Sequence, residues 1–265
     1  MNTIKKYLNI IYSIFKCCFM SALEYRANYI LRATIEISNL VVNLCLYKII
    51  YMKVDSIAGW GYNQMILLVL TAALLDSGMT FFFHRSLSEI PALIQNGNMD
   101  LVFLKPINSR VYLSFHKFET SQLINLVIML GVYLYFVLQM GVTYTPIQIF
   151  IVVLLLINGI FILYNLYFLI MILSFWTVKV DNGASLFYQL YDIGNKPMEV
   201  FPKILRGVFI YIVPMFVAFN FSVKYVFHTL SNYYVVAAFI CSAVIFLVTQ
   251  IVFKRALGKY TSAGA

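Results

Sequence analysis

Long apolar segments alternate with short polar segments along almost the whole chain. Each apolar segment has about 20 residues or more, the length that an α-helix needs to cross the hydrocarbon core of a membrane. The sequence therefore predicts an all-α membrane protein, a single transmembrane domain over 1–265 with a six-span bundle at 27–253 and a tail at 254–265. The six predicted spans lie at 27–50, 62–83, 113–138, 147–176, 204–222 and 233–253.

An amphipathic segment precedes the first span. Apolar residues recur at spacings of three and four over residues 3–20, while polar residues, among them Lys5 and Lys16, line the opposite face. This pattern is typical of a helix that lies in the membrane interface with its lysines toward the headgroups. We therefore expect 1–26 to form an interfacial helix.

The longest polar interval between apolar segments, residues 84–118, predicts a short surface helix. Ser86 and Glu89 have the spacing of a capping box, and Asn96-Gly97 supplies a stop signal. The residues between these signals place one apolar face on the helix, made by Ile90, Leu93 and Ile94. A packed helix on the surface of a membrane protein suggests a docking site for a partner.

The basic residues indicate the orientation of the chain. On the six-span prediction, 15 of the 19 basic residues lie on one side. The positive-inside rule then predicts a multi-pass protein of the cell membrane with both termini in the cytoplasm. These residues are Lys5, Lys6, Lys16, Arg26, Arg85, Lys105, Arg110, Lys117, Lys179, Lys196, Lys203, Arg206, Lys254, Arg255 and Lys259.

Composition agrees with a membrane protein and gives no sign of an enzyme. Only 11% of the residues are charged, against about 25% in soluble domains. The net charge of +9 contains no dense basic run, so it does not indicate nucleic acid. No phosphate-binding loop is present, and the cysteines and histidines lack metal-site spacing. We predict no catalytic residue, no metal site and no cofactor in this chain.

Several ionisable residues inside predicted spans invite a functional interpretation, and Glu119 is one of them, near the start of the third span. Arg32 and Glu36 are four residues apart in the first span, so they can share a helix face, and Asp76 lies in the second span. Charges within a membrane are costly and often functional. Two interpretations stay open: the residues line a transport path or proton relay, or they form a structural ion pair.

The segment 89–100, with Leu104-Lys105-Pro106 after it, resembles the cytoplasmic segment of ABC-2 type transporter permeases. Further segments that are similar to this family follow in the same order and with similar spacing. They are Asn158-Gly159, Leu163-Tyr164, Leu173 to Trp176, Asp181-Asn182, Pro197 to Pro202 and Tyr260 to Gly264.

The resemblance implies six transmembrane helices with an N-terminal elbow helix, and a homodimer or a heterodimer with a related permease. It also implies separate ATPase subunits, which would bind ATP and Mg²⁺, and a coupling helix at 86–97 that fits a groove of the ATPase. The family mostly exports its substrates. The implied coupling-helix contacts are Ser86, Glu89, Ile90, Leu93, Ile94 and Gly97. A second cytoplasmic contact would involve Asp181, Asn182 and Asp192, and an external re-entrant structure would lie at 221–232.

Two other classes of function compete with an ABC permease. A self-contained secondary transporter or channel would use Arg32, Glu36 and Asp76 as a relay, although no internal repeat is evident. A membrane-embedded enzyme acting on lipid would need clustered acids and histidines. His84, Asp181 and Asp192 are too scattered to favour that function.

Overall fold

The structure is a computed structural model that describes residues 3–23, 26–141, 144–176 and 183–259. Within these ranges the chain forms α-helices, short 3₁₀ and π turns and no strand, which confirms the predicted all-α class. The helices are α1 (Thr3–Leu23), α2 (Arg26–Tyr51), α3 (Tyr62–Met79), α4 (Arg85–Ser88), α5 (Ile90–Gln95), α6 (Met99–Phe103), α7 (Ser109–Phe115), α8 (Gln122–Gln139), α9 (Pro146–Ile172), α10 (Gly183–Gly194), α11 (Lys203–Tyr211), α12 (Met215–Val226) and α13 (Asn232–Leu257).

Five helical segments of the described chain are long and apolar enough to cross a membrane. The number rises to six if the bent pair α11–α12 counts as one span. The third span begins at Gln122 rather than at 113, because α7 is a separate helix and residues 116–121 are not regular helix. The five segments are Tyr29–Tyr51, Tyr62–Gln95, Gln122–Gln139, Pro146–Phe175 and Asn232–Leu257.

The predicted fifth span at 204–222 is wrong, because this segment is two short helices that meet at an angle of 96°. The break falls just before α12 at Pro214, which has no backbone N–H and restricts the residue before it. Near the start of the pair, Arg206 donates to the backbone oxygen of Glu199. Near its end, Lys224 Nζ donates to the Glu199 carboxylate at 2.6 Å.

Because both ends of the pair contact Glu199, α11 and α12 enter and leave the bundle at the same end. The pair is therefore re-entrant rather than a crossing. The re-entrant structure expected at 221–232 lies earlier in the chain, and 227–231 is only a short turn before α13.

The remaining crossing belongs to α10, in a segment that the sequence analysis left between spans. Near its middle the ring of Tyr188 lies against His84 in the π turn that follows α3, with centroids 6.0 Å apart. One turn later Tyr191 donates to the carbonyl of Ala72, and Gly194 packs on Met215. The 12 residues of α10 span about 18 Å. Residues 195–202 then carry the chain on to the end of the bundle where Glu199 contacts Trp60.

The helix ends define two ends of the bundle. The basic end carries α1, residues 85–121 and the end of α13. The opposite end carries 52–61, 140–141, 144–145, 195–202 and 227–231, where Trp60 Nε1 donates to Glu199 at 2.6 Å. Lys196, Lys203 and Arg206 lie with Glu199 at the opposite end. Their predicted placement with the other basic residues is therefore wrong, and the charge bias between the two ends is smaller than the sequence suggested.

Close helix contacts in the core depend on small residues. A Cβ atom on Gly159 of α9 would lie 2.8 Å from the carbonyl oxygen of Ala218 in α12. The side chain of Asn220, fully buried in α12, donates to the carbonyls of Gly194 and Lys196 and accepts from the N–H of Met198. These bonds satisfy the backbone where α10 ends and fix α10 to the re-entrant pair.

Candidate functional site

The predicted helix start at Ser86 is wrong, because the α3 helix passes through a π turn at Thr80–His84 and continues into α4 and α5. The side chain of Ser86 is buried; its hydroxyl donates to the Lys117 carbonyl at 2.7 Å and accepts from the Lys117 N–H at 2.8 Å. The stop signal is confirmed, since Gly97 has φ +69°, a value that favours glycine.

The apolar face of this helix packs inside the same chain. Ile90 is fully buried, and Leu93 and Ile94 lie half-buried against the core. Glu89 accepts from Lys117 Nζ at 2.6 Å and contacts His116 Nε2 at 3.1 Å. The expectation that Ile90 fills a groove of a partner is therefore wrong. Amphipathicity shows that a face must be covered but not which molecule covers it.

Exposed apolar side chains lie one helix later, on α6 and just after it. Met99 and Val102 are buried and hold the helix down, whereas Leu101 is 58% exposed and Leu104 79% exposed. Phe103 is 39% exposed. We call Leu101, Phe103 and Leu104 the α6 patch.

The α6 patch lies beyond the membrane part of the bundle. The helical segment Tyr62–Gln95 has 34 residues, a length of about 51 Å, against about 30 Å for the hydrocarbon core. Its far end and α6 therefore project past the core at the basic end.

A buried arginine links α7 to two long helices. Arg110 is only 6% exposed. It donates to the Tyr164 hydroxyl at 3.3 Å, to Asn165 Oδ1 at 2.8 Å and to Gln250 Oε1 at 2.7 Å. Its guanidinium also lies over the rings of Phe168 and Phe246, 5.0 and 4.5 Å from their centroids.

In the described part of the chain no carboxylate pairs with Arg110. Its charge is held by neutral oxygens of α9 and α13 and by aromatic faces. The arginine therefore fastens the segment that carries the α6 patch to α9 and α13. The sequence analysis counted Arg110 only as an orientation signal, because nothing in its neighbourhood along the chain indicates that it is buried.

The second predicted cytoplasmic contact is not supported at its described residue. Asp181 and Asn182 lie outside the described residues. Asp192 is exposed on α10, beside Tyr191 at the level of Ala72 in α3. That level is nearer the opposite end, so the expectation that Asp192 joins a contact at the basic end is wrong.

The charges inside the helices pair differently from the prediction. Arg32 Nη1 lies 3.9 Å from Glu119 Oε1, so the predicted Arg32–Glu36 pair is wrong. Glu36 instead accepts from Gln122 Nε2 at 3.4 Å. Burial raises the pKa of Glu119 in the 116–121 segment. The Ser121 hydroxyl and the guanidinium groups of Arg32 and Arg85 outweigh burial, so this pKa lies below its ordinary value.

Glu36 and Asp76 come together from α2 and α3. They interact electrostatically with each other, and both interact with the Tyr188 side chain of α10. Among the described residues neither carboxylate has a cationic partner within ion-pair distance. We call these three side chains the acidic cluster. No three histidine, cysteine or acidic side chains of the described chain are grouped to hold a metal ion.

The fold and these clusters define a multi-pass helical membrane protein with polar contacts at its helix ends and an acidic cluster between helices. The chain belongs to the ABC-2 family of transporter proteins, whose model matches residues 37–264. It is thus a membrane subunit, or permease, of an ABC transporter. No match is found among curated proteins or among solved structures.

Proposed function

We propose that this chain is the permease of an ATP-driven exporter and that a separate ATPase subunit docks on the α6 patch. The observation that carries the proposal is the exposure of Leu101 and Leu104 on a helix that projects beyond the membrane core. A patch of apolar side chains exposed to water is typical of a surface that binds another protein. Both termini then lie in the cytoplasm, and the protein lies in the cell membrane.

The proposed docking surface replaces the one predicted from sequence. The α5 helix supports the patch from inside: Ile90 anchors it in the core, Glu89 ties it to the 116–117 segment, and Gly97 turns the chain into α6. Because a helix of only five residues cannot be stable alone, its position depends on these contacts.

Movement of the docked ATPase would reach the membrane helices through Arg110. The ATPase binds ATP and Mg²⁺ and supplies the free energy, and two permease copies, or this chain and a related permease, form the path. A push on α6 moves α7, and the three hydrogen bonds of Arg110 carry that displacement to α9 and α13. Packed helices shift as units between discrete arrangements, so the change propagates.

The acidic cluster is the part of the described chain best suited to the transport path. Its carboxylates come from α2 and α3 and its tyrosine from α10. Unpaired acids within a membrane bundle usually face a cavity or a pathway. We infer that the transporter exports hydrophobic or amphiphilic compounds, because members of the family mostly export such substrates.

Co-purification tests the proposal. The complex is solubilised in mild detergent from its native cells, with Leu104→Asp as the test variant and Val54→Asp as the matched control. Val54 is also an exposed apolar residue, but it lies at the opposite end. We expect an ATPase to co-purify with the wild type and with Val54→Asp but not with Leu104→Asp. An aspartate at an apolar interface would be desolvated without a partner.

Retention of the ATPase by Leu104→Asp would contradict the docking surface. A second function, that of a self-contained transporter, is favoured by one observation: in the described chain no cation lies within ion-pair distance of Glu36 or Asp76. Transport in vesicles that contain this protein and no ATPase would establish that function and overturn the proposal.

A further inference from the structure

A cavity of about 690 Å³ lies beside α1 at the basic end. Its walls are one side of α1, Tyr29 at the start of α2, Arg85 at the start of α4 and residues 116–121 before α8. The walls are rigidly joined, because the ring of Phe15 in α1 packs edge-on against Phe118 with centroids 5.6 Å apart. None of the functions argued above uses this cavity.

The cavity lies at the level where the hydrocarbon core gives way to headgroups. Two apolar segments begin at its walls, one at Tyr29 in α2 and α8 just after Ser121, and the helical segment Tyr62–Gln95 passes the cavity at Arg85. Immediately past Tyr29, toward the middle of the membrane, Ile30 and Leu31 are exposed on the outer surface of α2. A ligand with a polar headgroup and apolar chains would therefore find a polar pocket for the headgroup and an apolar helix face for the chains.

Two cations on the cavity wall retain unused hydrogen-bond donors. Arg85 carries five N–H groups, of which one bonds to Glu119 at 3.0 Å, and its side chain is 49% exposed. Lys117 carries three, of which one bonds to Glu89, and its side chain is 45% exposed. Because both residues line an open cavity and keep unused donors, they can bind an anion there without breaking the existing ion pairs.

The charge around the cavity is positive. The cations of this cluster are Arg32, Arg85 and Lys117, and the carboxylates that pair with them are those of Glu89 and Glu119. One positive charge is therefore in excess, and the serine and threonine hydroxyls of the wall add neutral donors. The oxygens of a phosphate group match this set of guanidinium, ammonium and hydroxyl groups.

We propose that this cavity binds the phosphate group of an anionic phospholipid from the membrane leaflet at the basic end. Arg85 and Lys117 donate to the phosphate, and the acyl chains lie along Ile30 and Leu31. Soluble phosphate has the same head chemistry, but it would make no use of the exposed apolar residues beside the pocket. The bound lipid would hold α1 against the bundle.

Native mass spectrometry of the purified full-length chain, without an ATPase, tests the site. The protein is exchanged into detergent micelles that contain equal amounts of phosphatidylglycerol and phosphatidylcholine, and the lipid that remains bound is measured. We expect preferential retention of phosphatidylglycerol by the wild type. The double variant Arg85→Gln/Lys117→Gln should reduce this preference by about fivefold for each cation removed, and Lys53→Gln, an exposed lysine at the opposite end, should not.

A second variant decides the question if the double variant does not fold. Ser13→Phe fills the cavity from α1 and touches no ion pair, so it should remove the preference as well. Equal retention of both lipids by the wild type, or an unchanged preference in Ser13→Phe, would overturn the proposal. Displacement of phosphatidylglycerol by inorganic phosphate alone would also overturn it and indicate a soluble ligand. None of these results depends on ATPase docking.

Discussion

Replacing Arg110 tests how the segment that carries the α6 patch is held to the membrane helices. In Arg110→Ala the oxygens of Tyr164, Asn165 and Gln250 lose their donor in a largely buried place. The guanidinium also leaves the rings of Phe168 and Phe246. The variant therefore loses its polar contacts and its packing together.

The size of the effect follows from the number of contacts. Hydrogen bonds between membrane helices contribute about 0.6 kcal/mol on average and up to about 1.7, and charged donors belong at the upper end. Three such bonds and the cation–π contacts, less the relief of no longer burying a cation, give a net loss of about 2–4 kcal/mol. Arg110→Lys keeps the charge but not the planar guanidinium with its several N–H donors. It should therefore lower the free energy of unfolding by about half as much as Arg110→Ala.

Chemical unfolding in detergent, followed by tryptophan fluorescence, measures these losses. Lys105→Ala is the control, because Lys105 is an exposed basic residue of the same segment. We expect a lower free energy of unfolding in the order wild type, Arg110→Lys, Arg110→Ala. If Arg110→Ala unfolds within about 0.5 kcal/mol of the control, as a surface substitution would, then Arg110 does not fasten α7 to α9 and α13.

Three further predictions concern other parts of the molecule. Gly159→Ala should lower the free energy of unfolding by about 1–3 kcal/mol, since its Cβ would lie 2.8 Å from the Ala218 oxygen; an unchanged value would contradict the close approach. Burial raises the pKa of Glu199, but the hydrogen bonds from Lys224 and Trp60 outweigh burial and lower it. The stability that Glu199 contributes is therefore present above the ordinary carboxyl pKa and is lost as pH falls through the lowered value. A shift in the fluorescence of buried Trp60 reports the protonation of Glu199. In Glu199→Gln this fluorescence shift with pH should be absent. Asp76→Asn should abolish transport but leave the ATPase bound, and full transport by this variant would exclude the acidic cluster from the path.

The sequence predicted the long spans because each lipid-facing helix must be apolar over its whole length. It misassigned the segment around 183–226 for a physical reason as well. The described part of α10 has only 12 residues and carries Tyr188, Gln189 and Asp192, so it holds no apolar segment of spanning length. The α11–α12 pair is apolar enough over its whole length to read as one span, and hydropathy does not record the 96° bend before α12.

The candidate site was predicted less well than the fold. Glycine at a left-handed position leaves a local signal, and Gly97 was predicted as the end of a helix. The role of Ile90 and the burial of Arg110 depend on residues more than 50 positions away, such as Tyr164 and Gln250. No pattern within the 84–118 segment can report such contacts, because an apolar face packs equally well on its own chain or on a partner.

Site-specific photo-crosslinking tests the central claim most directly. A photoreactive amino acid is introduced in place of Leu104, or in place of Val54 as the control, and the cells are irradiated before the membranes are solubilised. The proposed docking surface predicts a crosslink from position 104 to an ATPase subunit and none from position 54. No crosslink from position 104, in a protein that still transports, would contradict docking at the α6 patch.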